Sequence, residues 1–467
     1  MADWTARIAG YLPSVAEPEH EQSLKEMLTW TGVILVLYFT LSSINITPAP
    51  FGSGQVSVVN QALQQLETFQ TLLGASIGSI ITLGIGPIVT ASIVLQMMVG
   101  SDLLDWDTNT QSGKQKFQNS KKILAYAISI VQALGYVLSG TFGSITDPVL
   151  IFWVTAQIAL GGVIIILMDE VVQKWGFGSG VGLFIAAGVS QAIYIRSASF
   201  LNGAGEFVGV SSDAVGAIPS FAATLDLTAL IPVFSTIAVF AAVVYMQSMR
   251  VEIPLTFGNV RGFGQKWPLK FLYTSNMPVI LIAALVSNVQ IVGSTLSGAN
   301  GSSILGTFSG GQAQSGLVYL LQAPSQVFTS FLASGISAVN PFDIFHILFY
   351  TSVYAFGSVL FSLFWVQTSG QDSKSVAEQI KQTGMKVPGF RKDTRVIQKV
   401  LDRYIPGLTV LSGFSVGLLA ALANITNAAG GGTGILLTVM ILYRLYEQLA
   451  QKHMEELHPA MKDFLQG

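Results

Sequence analysis

The chain has 467 residues, of which 51% are hydrophobic, only 10% charged and none cysteine. Soluble domains carry about a quarter charged residues, so this composition, with a mean hydropathy of +0.58, excludes a soluble globular fold and places the chain in a bilayer. The lack of cysteine excludes disulfides and thiolate metal sites, and a formal net charge of −2 points to no partner until the charges are placed.

The first 27 residues are polar, with Glu17, Glu19, Glu21, Lys25 and Glu26. They lack the apolar core and cleavage site of a signal peptide, so the first span is expected to act as its own insertion signal. A hydrocarbon core about 30 Å thick takes roughly 20 apolar residues per helix. Uncharged runs of that size fall near 28–46, 81–99, 123–144, 148–168, 178–195, 228–249, 271–293, 342–366, 407–425 and 433–450, which predicts ten spans.

The second run is broken. Residues 73–100 read LGASIGSIITLGIGPIVTASIVLQMMVG, and the part before Gly84, Gly86 and Pro87 is too short and polar-dotted to span anything. Each proline removes an intrahelical donor and favours a bend or an end. Met277-Pro278 interrupts the corresponding span of the second set of five. Paired interruptions suggest an inverted repeat around a central pathway; prolines scattered through unrelated membrane helices would also give such a pair.

With a cytoplasmic N-terminus, 22 of the 23 lysines and arginines fall on inner segments or the inner end of the last span, and only Arg196 does not. Lysine and arginine set topology, so both termini are expected inside. Two inner loops concentrate the charge, 250–270 and 367–406, the second with eight basic residues against Asp372, Glu378, Asp393 and Asp402. Such loops suit a polyanion such as ribosomal RNA. Composition alone favours the simpler role of topology determinant.

Intramembrane ionisable residues mark proton and ion pathways, and the spans hold almost none. Asp169, Glu170 and Arg444 lie near inner ends, and Asp343 begins the eighth span. His346 stands alone one turn later and reads as a packed or interfacial side chain. GFGSG (176–180) and GGGTG (430–434) follow no strand and lack the Gly-Lys-Ser/Thr ending of a phosphate loop. No Ser/His or Ser/Lys pair shares a depth, so no enzyme, cofactor or metal site is expected. An ion-coupled transporter would share broken helices and inverted repeats, but it needs coupling-ion ligands at mid-membrane.

ITLGIGPIVTASIVLQMMVGS (81–101), GFGSGVGLFIAAGVSQ (176–191), MRVEIPL (249–255), YTSNMPVILIAAL (273–285), GFRK (389–392), RYIPGLTVLSGF (403–414) and GGGTGILLTVMILYRLYEQL (430–449) closely resemble the archaeal form of the SecY family. These are the large subunits of protein-conducting channels, and the matches run in order through nearly the whole chain. The resemblance implies an all-α fold, with ten transmembrane helices in two inverted five-helix halves around an hourglass pore. It implies a cytoplasmic segment 1–27, a first half 28–200, an external loop 201–227, a second half 228–450 and a cytoplasmic tail 451–467. A re-entrant plug helix would occupy about 66–80, including Leu72, Leu73, Gly74, Ser76, Ile77 and Gly78.

The same resemblance assigns a closing ring of apolar side chains to Ile85, Val89, Val181, Ile185, Ile280 and Leu437. Sequence alone would not choose these among so many aliphatics, whose common role is packing. A lateral gate maps to Thr90, Gln132 and Asn288, with an ordinary bond from Thr90 to its own helix backbone as the alternative. Ribosome contacts map to Arg250, Arg261, Lys266, Lys270, Arg391, Lys392 and Arg395. Implied partners are SecE-type and Sec-beta-type small subunits, the ribosome, nascent polypeptides and lipid, all at the plasma membrane. Ser76 stands where archaeal relatives can carry a basic plug residue, and 294–340, rich in Gly, Ser and Gln, is expected to be a flexible loop with a short helix.

Overall fold

The computed structural model of the chain describes residues 7, 10–20, 22–47, 75, 76, 78–100, 103, 104, 106, 111–138, 142, 147–202, 206–257, 264–274, 277–297, 302, 303, 305–309, 312–335, 340–382, 385, 386 and 394–457. They form two compact units: Met1–Ala192 with Ser309–Gln312 and Leu437–Gly467, and Ile193–Phe308 with Ala313–Leu436.

The first unit contains α1 (Leu24–Ser42), α2 (Gly86–Gly100), α3 (Gln111–Leu138), α4 (Pro148–Trp175) and most of α5 (Gly180–Ala198). α1 starts in a reciprocal cap: the Ser23 N–H donates to Glu26 Oε2 at 2.9 Å, and the Glu26 N–H donates to Ser23 Oγ at 3.4 Å. α4 starts on Asp147, whose carboxylate accepts from the Val149 N–H, with Pro148 in the first turn where its missing donor costs nothing. Thr31, Ile34 and Tyr38 form the buried stripe of α1, and Tyr38 stacks on Phe184 of α5 with ring centroids 5.0 Å apart. Ala133 and Val137 of α3 pack with Val154 and Ile158 of α4 and with Leu83.

At one end of this unit, residues 13–16 lie across α3 and α4. Their carbonyls are held by side chains: Tyr126 Oη donates to Pro13 O, Lys174 Nζ to Val15 O and Trp175 Nε1 to Ala16 O. Glu170 pairs with both Lys122 and Lys174 at 3.0 Å.

The second unit holds α6 (Ala217–Thr224), α7 (Ile231–Ser248), α8 (Met277–Ser297), α9 (Gly316–Leu320), α10 (Ser325–Ser334), α11 (Pro341–Thr368), α12 (Ser373–Gln382) and α13 (Thr394–Ile425). α14 (Gly432–Leu457) begins there and continues as part of the first unit. Two small sheets accompany these helices. β1 (Arg250–Phe257) pairs antiparallel with β2 (Gly264–Lys270) and, on its other edge, with β6 (Met385–Lys386); β3 (Ser302–Ser303), β4 (Gly306–Ser309) and β5 (Gln312–Ser315) form the other sheet. α11 and α13 approach closely because Gly413 and Gly417 face Ser358, Ser362 and the Tyr354 carbonyl, with no room for a Cβ.

Seven helical stretches among the described residues are long and apolar enough to cross a membrane, and α2 and α8 carry shorter apolar stretches. With α14, they fall on the ten runs read from the sequence. Four expectations need correction. The second span begins at Gly86, not 81, because residues 78–85 form successive three-residue turns, with Gly84 at a φ of 50°. The helix expected over 66–80 does not extend through Ser76 and Gly78–Ile80: these residues turn back and pair with the end of α1 through an Asn45–Ser79 bridge. The loop 250–270 is a β-hairpin at its described positions. Within 294–340 the described residues form three strands and two short helices.

Candidate functional site

The helical core of the first unit places three of the ring candidates deep in the protein. Ile85 ends the turn segment, Ile185 lies on α5 and Leu437 on α14; their relative exposures are 1%, 5% and 0%. The contact between α5 and α14 sets their levels. A Cβ on Gly178 would strike Leu445, and one on Gly182 would lie 3.2 Å from Ile441, so the helices run antiparallel. Carrying the i, i+4 spacing one turn further brings Ala186 level with Leu437, with Ile185 next to it in the chain. Val89 and Val181 are half-buried in the same unit, and Ile280 is buried near the start of α8 in the second unit. α2 and α8 contain no Asp, Glu, Lys, Arg or His, α5 has only Arg196 in its last turn, and α14 has none before Arg444. Aliphatic side chains of this kind offer no ligand to replace an ion's hydration shell.

Two carboxylates near the C-terminal end of α4 divide their work. Glu170 takes the lysines, whereas Asp169 turns inward, is buried, and accepts from the Val181 N–H at 2.9 Å and from Gln173 Nε2 at 2.7 Å. The turn between α4 and α5 is also held by Thr31, whose hydroxyl accepts from the Phe177 N–H at 2.8 Å. The sequence reading noted Asp169 only as a charge near a span end. An acid four residues ahead of a Gln and next to GFGSG was the available signal.

Of the lateral-gate candidates, Gln132 Nε2 on α3 donates to Thr90 Oγ1 on α2 at 3.4 Å. Both therefore lie on one seam within the first unit. Asn288 is on α8, with its side chain outside the described residues. Of the plug candidates, Ser76 Oγ donates to Ser42 O at 3.4 Å and the Gly78 N–H to Thr82 Oγ1 at 3.2 Å, which ties this stretch to α1 and to itself. Leu72, Leu73, Gly74 and Ile77 lie outside the described residues.

The two basic loops fold into one platform. β1 and β2 of the first loop, α12 of the second and the leading turns of α13 share an apolar core of Ile253, Leu269, Ala377, Ile380, Ile397 and Leu401. The strands extend this union, since Thr256 and Phe257 pair with Lys386 and Met385. Tyr273 closes it by donating to Gln371 O at 2.6 Å. The next residue, Thr274, is fully buried, with its hydroxyl 3.3 Å from Ser362 Oγ and 3.1 Å from Ser412 Oγ.

On this platform Arg250 stands opposite Lys270 at the root of the hairpin, and Lys266 opposite Pro254. Arg395 is exposed on α13, and Lys399 and Arg403 continue the same stripe at four-residue spacing, while Ile397, Leu401 and Ile405 form the buried stripe. The last two cations were missed as candidates because the expected loop concealed the helical period. Arg261, Arg391 and Lys392 lie outside the described residues. Among the described residues no three His, Cys, Asp or Glu side chains could hold a metal ion, and His346 packs against Tyr319 with its Nε2 3.0 Å from Gln322 O.

Known proteins share this architecture. A family model described as SecY matches residues 79–446. The protein translocase subunit SecY of Methanothermobacter thermautotrophicus is 42% identical over 97% of this chain and 96% of its own. A solved protein-conducting channel is 41% identical, with a TM-score of 0.78 over 97% of this chain and 98% of its own. Sec61 in a canine ribosome-channel complex from the endoplasmic reticulum gives a TM-score of 0.76 at 41% identity, over the same shares of both chains. A broken second span, an aliphatic and nearly uncharged interior and this likeness along almost the entire length lead to one conclusion: the chain is a multi-pass membrane protein and belongs to the SecY family.

Proposed function

We propose that the chain is the central subunit of a protein-conducting channel, passing unfolded polypeptides across the membrane and releasing apolar segments sideways into lipid. The observation that carries this reading is the likeness over 97% of the chain to a solved protein-conducting channel. The site chemistry agrees with it. Side chains such as Ile85, Val89, Val181, Ile185, Ile280 and Leu437 can close around any sequence because dispersion contacts are non-directional, and they remain dry when the channel is idle. Thr90, Gln132 and Asn288 belong in this reading to a lateral seam, where interhelical hydrogen bonds worth only about 1 kcal/mol suit an opening that a signal sequence must compete for. A plug belongs in this reading to the stretch 66–80, in turn rather than helical conformation at Ser76 and Gly78–Ile80. The platform faces the cytoplasm, as do both termini, the membrane is the plasma membrane, and SecE-type and Sec-beta-type subunits complete the complex. No enzymatic step is assigned to the chain.

The natural lack of cysteine gives the test. Single cysteines at positions 85, 89 and 437 should crosslink to a stalled nascent chain; crosslinks to lipid alone would reject the channel reading. The platform's partner in this reading is the ribosome, through phosphates. Arg391→Glu should therefore weaken ribosome binding and flatten its dependence on salt by about one phosphate contact. Equal affinity at physiological salt would remove Arg391 from the interface.

A further inference from the structure

We propose that Asp169 is a positioning residue for the pore: it fixes the start of α5 and thereby the depth at which Val181 and Ile185 stand. This inference rests on the assignment of those two side chains to the ring. Asp169 is 5% exposed, sits on α4, and directs its carboxylate across a chain turn to the first turn of α5. The first amides of a helix have no partner within it, and in the first turn of α5 the Val181 N–H donates to Asp169 Oδ1 at 2.9 Å. A carboxylate there is favoured by both charge-assisted hydrogen bonding and the helix dipole.

The fit is close on every side. A Cβ on Gly180 would lie 2.6 Å from Asp169 Cα and 2.7 Å from its Oδ1, so the α5 backbone reaches α4 only because residue 180 is glycine. The second carboxylate oxygen accepts from Gln173 Nε2 at 2.7 Å, one turn along the same helix, which fixes the rotamer. Lys122 and Lys174 are taken by Glu170, one residue on. Asp169 holds the amide of Val181, itself a ring candidate, with Ile185 one turn further along α5. Weakening that bond frees the first turn of α5 to fray or shift, and the side chains it carries move with it.

The test uses the full channel complex, reconstituted in planar bilayers, with resting conductance as the readout. Asp169→Ala removes the acceptor and is expected to raise the resting leak about tenfold, the equilibrium shift that the loss of a helix cap produces. Asp169→Asn keeps an oxygen facing the Val181 N–H and should restore a conductance near that of the unmodified channel. A purely structural role would lower the melting temperature of both variants without separating their leaks. In the cysteine-free chain, a cysteine at Ile185 should also become more reactive to a maleimide added from outside when Asp169→Ala is present. Should alanine not yield folded channel, Asp169→Leu, which has similar volume and no acceptor, takes its place. A folded Asp169→Ala channel that leaks no more than the unmodified one, while Ile85→Gly does leak, would overturn the positioning role and leave the ring intact. If neither variant leaks, the ring assignment fails, and this proposal fails with it.

Discussion

Replacing Ile85 with asparagine is expected to convert a tight resting channel into one that conducts ions. Ile85 is 1% exposed, at the last residue before α2, and its side chain lies in an interior without ionisable neighbours on α2. A buried amide without partners costs about 1–3 kcal/mol in proteins, and the cheapest source of partners in a pore is water. Once water enters, the barrier to ions, which was dewetting, is gone. Glycine at the same position reaches that outcome differently, by removing the aliphatic bulk and leaving a gap. Val89, Ile280 and Leu437 should respond in the same way, and single-channel recording without a translocating chain reads the effect. Unchanged conductance in the asparagine and glycine variants of all four would remove the ring assignment.

The helices were legible because membranes impose a simple rule: about 20 apolar residues, with every backbone group satisfied internally. The break at Gly84, Gly86 and Pro87 was legible for a local reason, since those residues cannot continue a helix without cost. The hairpin β1–β2 was not legible. Its strands are short, RVEIPLTF and GQKWPLK, each contains a proline, and neither alternates apolar and polar residues cleanly; its stability comes from an apolar core shared with α12 and α13, more than a hundred positions along the chain. The same distance concealed Lys399 and Arg403 as a stripe. Asp169 was visible as a charge, but its partner is a backbone amide 12 residues on, and sequence carries no sign of which amides a buried acid will meet. The ring residues came from family resemblance, because an aliphatic side chain facing a pore and one facing a neighbour have the same chemistry.

The second large effect is expected at Gly161, where the turn before α2 touches α4. A Cβ on Gly161 would overlap the Ile80 carbonyl, with the Ile80 carbonyl carbon 2.7 Å away and Ile80 Cγ2 3.0 Å away. The obstacle is backbone, and it has nowhere to go. On its other side the turn is bonded to the end of α1, through the Ile80 N–H to Ile44 O and the Ile46 N–H to Gly78 O, both at 2.9 Å. Moving it away would break bonds worth about 1 kcal/mol each, and overpacking adds about 1–3 kcal/mol. Gly161→Ala should thus lose about 3–5 kcal/mol, a large part of the usual stability of roughly 5–15 kcal/mol. Because the displaced turn leads directly into Ile85, channels that still fold should also leak. Two neighbouring glycines make the prediction specific. At Gly162 the new methyl meets the Ser129 hydroxyl, which can rotate, so Gly162→Ala should cost less. At Gly135 nothing lies within 4 Å, so Gly135→Ala should gain up to about 1 kcal/mol of helix propensity. Thermal unfolding of the three variants in detergent gives the order, and a Gly161→Ala channel as stable as Gly135→Ala would mean that α4 does not hold the turn.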